Sequence, residues 1–431
     1  MDLEKIGNIF IFLLIILLPT QLGFHFWPPW TIISGMRVDY FSPTLYLTDV
    51  LITLLLLTIL VIWVKKQALR DSGVTASWRR APRTSLAYCV IGLLVLFNVY
   101  FSSSPPVSLY KWVKILEMVF LVIFLKKQLE VFRLRNLVIL ALILVVSYEF
   151  VLTFWQFLIQ HSVGGWWYFL GERTFFVDTP AIAKTELFNR LVVRPYGTFS
   201  HPNVLGGVLA VLLPLLLLIK TKIKKEYLGL ALCLGYLTLF LSFSRLSIIA
   251  GLASLFVVLL PKIKTRKLRA LTVGVFLSII VVCLLFFVDF GTQKESLAVR
   301  FQFNMIALNR FVHFPIVGTG LGTSPLYTLN WQFGPGNYRL TTTNYSLYGQ
   351  PIHNLYFLLL SETGIVGLAL FGWAIYKISK TFLSLSYCPL ITLLFLGLFD
   401  HYWLTSQQGL LTTSLVIAFV WSASNIESGV K

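Results

Sequence analysis

A histidine, an asparagine and a glutamate interrupt the apolar run PIHNLYFLLLSETGIVGLALFGW, residues 351–373. An imidazole at the mouth of an apolar helix, beside orphan N–H groups that favour the proton-accepting ring, suits a general base, and His353 is the candidate. If the helix starts near Ile352, a step of about 100° per residue puts Gly364 and Gly367 on the face of His353, where small residues let a neighbouring helix approach. Glu362 falls on the opposite face, about 13 Å deeper. It reads as a buried partner for a cation or hydroxyl on another helix, with a functional role as the alternative.

Three further stretches carry chemistry-bearing residues. In RPYGTFSHPNVLGG, residues 194–207, two turns precede a helix expected to begin near Asn203, which can cap it. Arg194 and His201 then lie beside a helix N-terminus, where a guanidinium and unpaired N–H groups can hold an anion; an interfacial anchor is the plainer reading of Arg194. SFSRLS, residues 242–247, is a minimal turn that leaves Arg245 at an interface. A partner is expected there, whether a lipid-linked phosphate, Asp289 or another acid. In DHYW, residues 400–403, Asp400 beside His401 could form a charge relay, or the aromatics could simply belong to an interfacial belt. The glycine-rich FPIVGTGLG, residues 314–322, lacks the Lys-Ser or Lys-Thr of a phosphate loop and reads as a tight turn where backbone meets backbone.

The elements that must position these residues are membrane helices. The chain has 431 residues, 57% hydrophobic and 12% charged, with mean hydropathy +0.82, far from the balance of soluble domains. A bilayer core takes about 20 apolar residues as helix, which gives about 12 candidate spans. They lie near 6–24, 45–64, 84–101, 108–125, 136–159, 204–219, 227–243, 246–260, 270–289, 354–376, 387–404 and 408–423. With both termini cytoplasmic, five basic clusters (65–83, 126–135, 220–225, 262–269 and 377–380) fall on one side with Lys5 and Lys431, about two thirds of the 35 Lys and Arg. The net charge of +18 is thereby explained without nucleic acid. The N-terminal run lacks a positive leader and a small-residue cleavage motif, so a retained helix is expected. Cys89, Cys233, Cys283 and Cys388 sit in apolar runs without metal-ligand spacing and read as core residues.

This threading places two long segments outside, 160–203 and 290–353, with 25–44 between the first spans. They mix aromatics with Arg and Asn, as in WWYFLGERTFF and LAVRFQFNMIALNRFVHF, which suits amphipathic helices in the headgroup region. The expected architecture is all-α: one polytopic bundle over residues 1–431, its two outer loops forming the active face.

The chain resembles the O-antigen ligase and polymerase superfamily of membrane glycan-transferring proteins. His353 and Asn354, the nine residues Leu355 to Thr363, then Gly364, two residues and Gly367 are similar to the ligases' motif. RPYGTFSHPN, SFSRLS and RFQFNMIALNRFVHFPIVGTGLG resemble its other blocks, so the likeness covers about residues 190–370 closely. The resemblance implies transfer of a glycan from a polyprenyl diphosphate carrier, such as undecaprenyl diphosphate, to an acceptor hydroxyl on the outer side of the cytoplasmic membrane. It makes His353 the base and Arg194 and Arg245 the diphosphate clamp, with Arg190 and Arg310 as further candidates and Asn354, His201, Gly364, Gly367, Asp400 and His401 in support. The partners would be the lipid-linked donor, a glycan, lipid or protein acceptor, and membrane lipids. Because a diphosphate leaving group is already activated, a base and a positive clamp suffice; no cofactor or metal is expected, no Asp-x-Asp motif is present, and direct attack inverts the anomeric centre. A polymerase that joins lipid-linked repeats would use the same chemistry. A transporter should instead show broken helices in corresponding halves, and an inactive scaffold is the blandest alternative. The last outer loop, about 60 residues, is short beside ligases with larger acceptor platforms, which leaves the acceptor open.

Overall fold

The computed structural model describes residues 3–33, 35–71, 85–286, 290–333, 349–378 and 384–427. It is mostly helical. The helices are α1 (Leu3–Ile16), α2 (Leu47–Asp71), α3 (Ser85–Tyr100), α4 (Pro105–Leu129), α5 (Phe132–Ile159), α6 (Pro202–Leu218), α7 (Lys225–Leu241), α8 (Arg245–Leu259), α9 (Arg266–Phe286), α10 (Phe290–His313), α11 (Ser324–Phe333), α12 (Leu355–Ile378), α13 (Cys388–Gly397), α14 (Tyr402–Thr405) and α15 (Gln407–Glu427). Among the described residues, 134–159, 245–262 and 355–378 are long and apolar enough to cross a membrane, and 5–16, 47–62, 91–100, 202–218 and 385–397 are shorter apolar helices.

Helix α6 explains the packing. It carries no charged residue, and nearly all of it is buried, as a helix apolar on every side must be. It packs against α7, α8 and α13, while α5 packs against α7 and α1, and α15 against α4. A Cβ on Gly206 would stand 2.7 Å from the Ser242 hydroxyl. Its absence lets the 242–244 turn close onto the start of α6.

The connections gather at one end of the bundle, as hydrogen bonds between distant loops show: Gln21 Nε2 donates to the Thr198 carbonyl (2.9 Å), Ser103 N to that of Thr319 (2.9 Å) and Asn354 Nδ2 to that of Leu398 (3.0 Å). Three two-stranded antiparallel pieces lie among these connections. β1 (Gly23–His25) pairs with β4 (Thr44–Tyr46), β2 (Ile32–Ile33) with β3 (Met36–Arg37), and β5 (Lys184–Leu187) with β6 (Arg190–Val193). The expectation of amphipathic loop helices therefore holds for 290–333, which forms α10 and α11, and fails for 160–203. That stretch folds as a short 3-10 turn, Gly165–Leu170, and the β5–β6 hairpin, because its aromatics and β-branched residues flank turn residues instead of recurring at helical spacing.

Helix α12 departs from the regular helix assumed for the angular reading of Gly364 and Gly367. Gly364 adopts φ 64°, ψ −168° and breaks the helix. The groups released by the break are taken up by the glycine-rich turn: Ile365 N donates to the Pro315 carbonyl (2.9 Å), Thr319 N to that of Ser361 (3.0 Å) and Gly320 N to that of Glu362 (2.9 Å). Irregular backbone survives within an apolar bundle only when satisfied in this way. A Cβ on Gly364 would collide with the Ile316 carbonyl, and one on Gly367 with the Thr363 side chain. The neighbour at Gly364 is thus a turn, not the expected helix, whereas FPIVGTGLG does bring backbone against backbone as its sequence suggests.

Candidate active site

The loop before α6 dips into the bundle. Glu149 lies ten residues before the end of α5, about 15 Å down the helix axis, yet its carboxylate accepts the N–H and hydroxyl of Thr198. Higher on α5, Gln156 Oε1 accepts from Tyr196 N (3.0 Å) and Gly197 N (2.8 Å), and its Nε2 donates to Glu172 Oε1 (2.8 Å). Gly197 has φ 59°, and a Cβ there would strike the Glu149 carboxylate. PYGTFS is therefore a re-entrant loop whose polar backbone is satisfied by α5 side chains and by Gln408, which donates to the carbonyls of Pro19 and Thr198.

That loop positions Arg194 and His201. The backbone N–H of Arg194 donates to Ala183 (2.9 Å). Its Nε and Nη2 both reach the Ser242 carbonyl (3.1 and 3.0 Å), and Nη2 also reaches Asn203 Oδ1 (2.7 Å). This leaves the two Nη1 donors of the fork for a ligand. Burial brings the guanidinium down to about 10, with neighbouring Arg245 pushing the same way, so Arg194 is charged at neutral pH. Arg245 opens α8 directly after the turn that Arg194 grips. Two cations and the N-termini of α6 and α8 thus meet at one place, where an anion relieves their mutual repulsion. The cap of α6 is His201, not Asn203: His201 Nδ1 accepts from Asn203 N at 3.1 Å, and Asn203 is occupied by Arg194. Burial, and then Arg194, lower the His201 imidazole to about 3, so it is neutral.

Facing this group are His353, Asp400 and His401. Asn354 Oδ1 caps α12 by accepting from Tyr356 N (2.9 Å) and Phe357 N (3.1 Å), while its amide ties the helix start to Leu398. The His-Asn pair therefore divides its work, with the asparagine building the helix start that presents the histidine. The His353 ring lies between Phe303 (5.6 Å between centroids) and His401 (5.1 Å). Its Nδ1 is 3.8 Å from Asp400 Oδ1, an ion-pair distance too long for a hydrogen bond. Asp400 accepts the backbone N–H of His401 (2.9 Å). Burial alone would raise its carboxyl, but the imidazoles of His353 and His401 and the Arg300 guanidinium outweigh burial and hold it well below the usual carboxylate range. His401 bonds Thr405 Oγ1 through Nδ1 (2.6 Å), and burial lowers it to about 3.

The two halves form one cluster, since His201 lies within electrostatic reach of Arg194, Arg173, Asp400 and His353. Residues 228–372 match the family model described as O-antigen ligase. Over this third of its length the chain is similar to the O-antigen ligase superfamily. No curated protein matches it. The ligase match takes in Arg245, Arg300, Arg310, His353, Asn354, Gly364 and Gly367, while Arg194, His201, Asp400 and His401 join the cluster through the fold.

Two arginines of this cluster escaped the sequence reading. Arg173 donates to Ser200 (3.2 Å) and lies over the Tyr196 ring (5.2 Å); Arg300 donates to Phe399 (3.0 Å) beside Asp400. The one available signal for Arg300 was its place three residues before Phe303, on the face of α10 that packs under His353. Arg190 stays exposed in β6, and the Arg310 guanidinium lies 4.2 Å from the centroid of Tyr327; neither joins the cluster by any described contact. Glu362 accepts from Gly322 N (2.7 Å) and Ser324 N (2.9 Å) and lies within electrostatic reach of Lys111 on α4, a cation on another helix as its sequence suggests. Asp289 lies outside the described residues.

His353, Asp400 and His401 each offer a ligand atom, all within 4.8 Å of one another, and are the group of that kind found among the described residues. As oriented, the two imidazoles stack instead of converging on one ion. A metal held by both imidazoles lies near the plane of each, and these rings stack at 27°, so one must turn to coordinate it.

Proposed function

We propose that the protein is an inverting, metal-independent glycosyltransferase that moves a glycan from a polyprenyl diphosphate carrier to an acceptor hydroxyl. The reaction takes place at the outer face of the cytoplasmic membrane, with both termini in the cytoplasm and about 12 spans in the full bundle. The observation that carries this reading is the juxtaposition of an imidazole–carboxylate pair, His353 and Asp400, with the partly buried arginine pair Arg194 and Arg245.

His353 Nδ1 faces Asp400, so Nε2 is the nitrogen that takes the proton from the acceptor hydroxyl. The acceptor oxygen attacks the anomeric carbon as the bond from that carbon to the phosphate oxygen breaks. The electron pair leaves on the diphosphate, where Arg194 and Arg245 meet the developing charge. The Asp400 carboxylate stabilises the imidazolium that forms, and attack opposite the leaving group inverts the anomeric configuration. Arg173 and Arg300 raise the positive potential around the same cleft.

The spacing of His353, Gly364 and Gly367 favours a ligase, which passes a finished chain to lipid or protein. Purified protein supplied with a polyprenyl-diphosphate glycan of known anomeric configuration tests the reading through the linkage formed. Inversion with unchanged rate in chelator supports it; retention, or loss of activity in chelator, contradicts it. Transfer only to a second lipid-linked repeat would make the enzyme a polymerase.

A further inference from the structure

We propose that the β5–β6 hairpin is seated in the outer leaflet and forms the threshold over which a lipid-linked donor reaches Arg194, a reading that rests on the function proposed above. The strands are joined by two residues, Phe188 and Asn189, both with positive φ (51° and 60°). This is a type I′ turn, whose positions favour Asn, Asp or Gly. A phenylalanine at its first position is conformationally unfavourable, and here its side chain is also 83% exposed, with Leu191 72% exposed beside it. Two large apolar groups held out at a tip signal something apolar that covers them.

The occupant follows from what the hairpin adjoins. Val193 N donates to Gln160 Oε1 (2.7 Å), and Gln160 caps α5. The last turns of α5 expose Val151, Phe154, Trp155 and Leu158, the surface that an apolar helix of this length turns to lipid. The hairpin therefore starts at the level where the hydrocarbon ends. Arg190 flanks its tip and Lys184 is exposed at its base; both match the phosphates of anionic headgroups, while Phe188 and Leu191 match the acyl boundary. The 3-10 turn that precedes the hairpin on this connection has the same character, with Trp166 and Phe169 exposed. A bilayer surface with anionic lipid accommodates all of these at once.

The consequence is directional. β6 ends at Val193 and the following residue is Arg194, whose fork belongs to the clamp. A carrier lipid moving in the leaflet meets the hairpin before its diphosphate meets the arginine. Arg190 is thereby a headgroup contact, which accounts for its exposure outside the cluster.

The test places a spin label on Phe188→Cys after replacement of the native cysteines, with the protein in vesicles of phosphatidylethanolamine and phosphatidylglycerol. Collision with oxygen and exclusion of a water-soluble nickel chelate, at a depth below the phosphates, are expected. Full access to the chelate, or broadening that grows with protein density as in contact between copies, would overturn the proposal. A Phe188→Ser, Leu191→Ser double variant supplies a second reading. With a leaflet-embedded donor its KM should rise about ten-fold while kcat stays within about two-fold, because the seat is lost and the transition state is untouched; an unchanged KM counts against the proposal. If the wild type transfers no glycan from any polyprenyl diphosphate, the functional reading fails while the depth measurement still decides the seat.

Discussion

Replacing Asp400 by Asn removes one charge and almost no volume, so the loss it causes can be worked from a single distance. A unit charge pair 3.8 Å apart interacts by about 4 kcal/mol at an effective dielectric of about 20. The two side chains are 19% and 17% exposed, and solvent trims the interaction to about 2–3 kcal/mol. That energy is absent while His353 is neutral and present once it has taken the acceptor's proton, so it belongs to the transition state. The variant should lose about 30- to 150-fold in kcat, with little change in KM for the donor, whose diphosphate Asp400 does not touch. Because the Asp400 carboxyl is held well below the usual range, it stays ionised in the wild type through pH 4. The deficit of the variant should consequently be as large at pH 5 as at pH 8. Initial rates of glycan transfer at saturating donor, measured across that range, provide the assay. A kcat within two-fold of wild type would refute the assignment of Asp400 as the partner of the imidazolium, and a deficit present at pH 8 but lost at pH 5 would refute its lowered carboxyl.

His201 and His401 each fall to about 3 from an ordinary 6.5. The unfolded chain therefore binds more protons below 6.5, and stability is complete above that value and lost as pH falls towards 3. The loss is on the order of 2 kcal/mol per histidine at pH 5; thermal unfolding should drop between pH 7 and 5, and His201→Gln should flatten the drop. Gly364→Ala forces a Cβ into the Ile316 carbonyl at positive φ and should lower stability by at least about 2 kcal/mol, read as a fall in Tm. Glu149→Ala leaves the Thr198 N–H and hydroxyl without their acceptor, at about 1–3 kcal/mol per donor; donor affinity should fall with stability, and unchanged affinity would show that the re-entrant loop does not set Arg194. Arg194→Lys keeps the charge but loses the fork to Ser242 and Asn203, so donor KM should rise about ten-fold.

How much the sequence reveals depends on whether the signal is local. His353 with Asn354 is legible because capping and presentation are both decided within a few residues. Arg194, Arg245 and the 314–322 turn are legible for the same reason: turn chemistry and a charge at an apolar boundary are local facts. The pairing of Asp400 with His353 is not local, since the two meet only through the crossing of α12 with the end of α13. Nothing in SFSRLS says that Gly206 admits the turn next to α6. The β5–β6 hairpin was hidden because its turn, Phe188-Asn189, lacks the glycine that marks a type I′ turn while the aromatics of 166–176 fit an amphipathic helix, and the break at Gly364 by a motif whose glycines suggested helix packing. Glu362 was legible as the partner of a cation on another helix, Lys111, but the N–H groups of Gly322 and Ser324 that it also accepts are anonymous in a sequence.

The central claim is that His353 is the base, and it is tested most directly by comparing wild-type protein with His353→Ala and His353→Gln in transfer of a labelled glycan from a polyprenyl diphosphate donor, with donor binding measured on the same preparations. Donor binding close to that of the wild type with transfer lowered by at least about 100-fold is the expected result. Transfer at the wild-type rate in either variant would contradict the account.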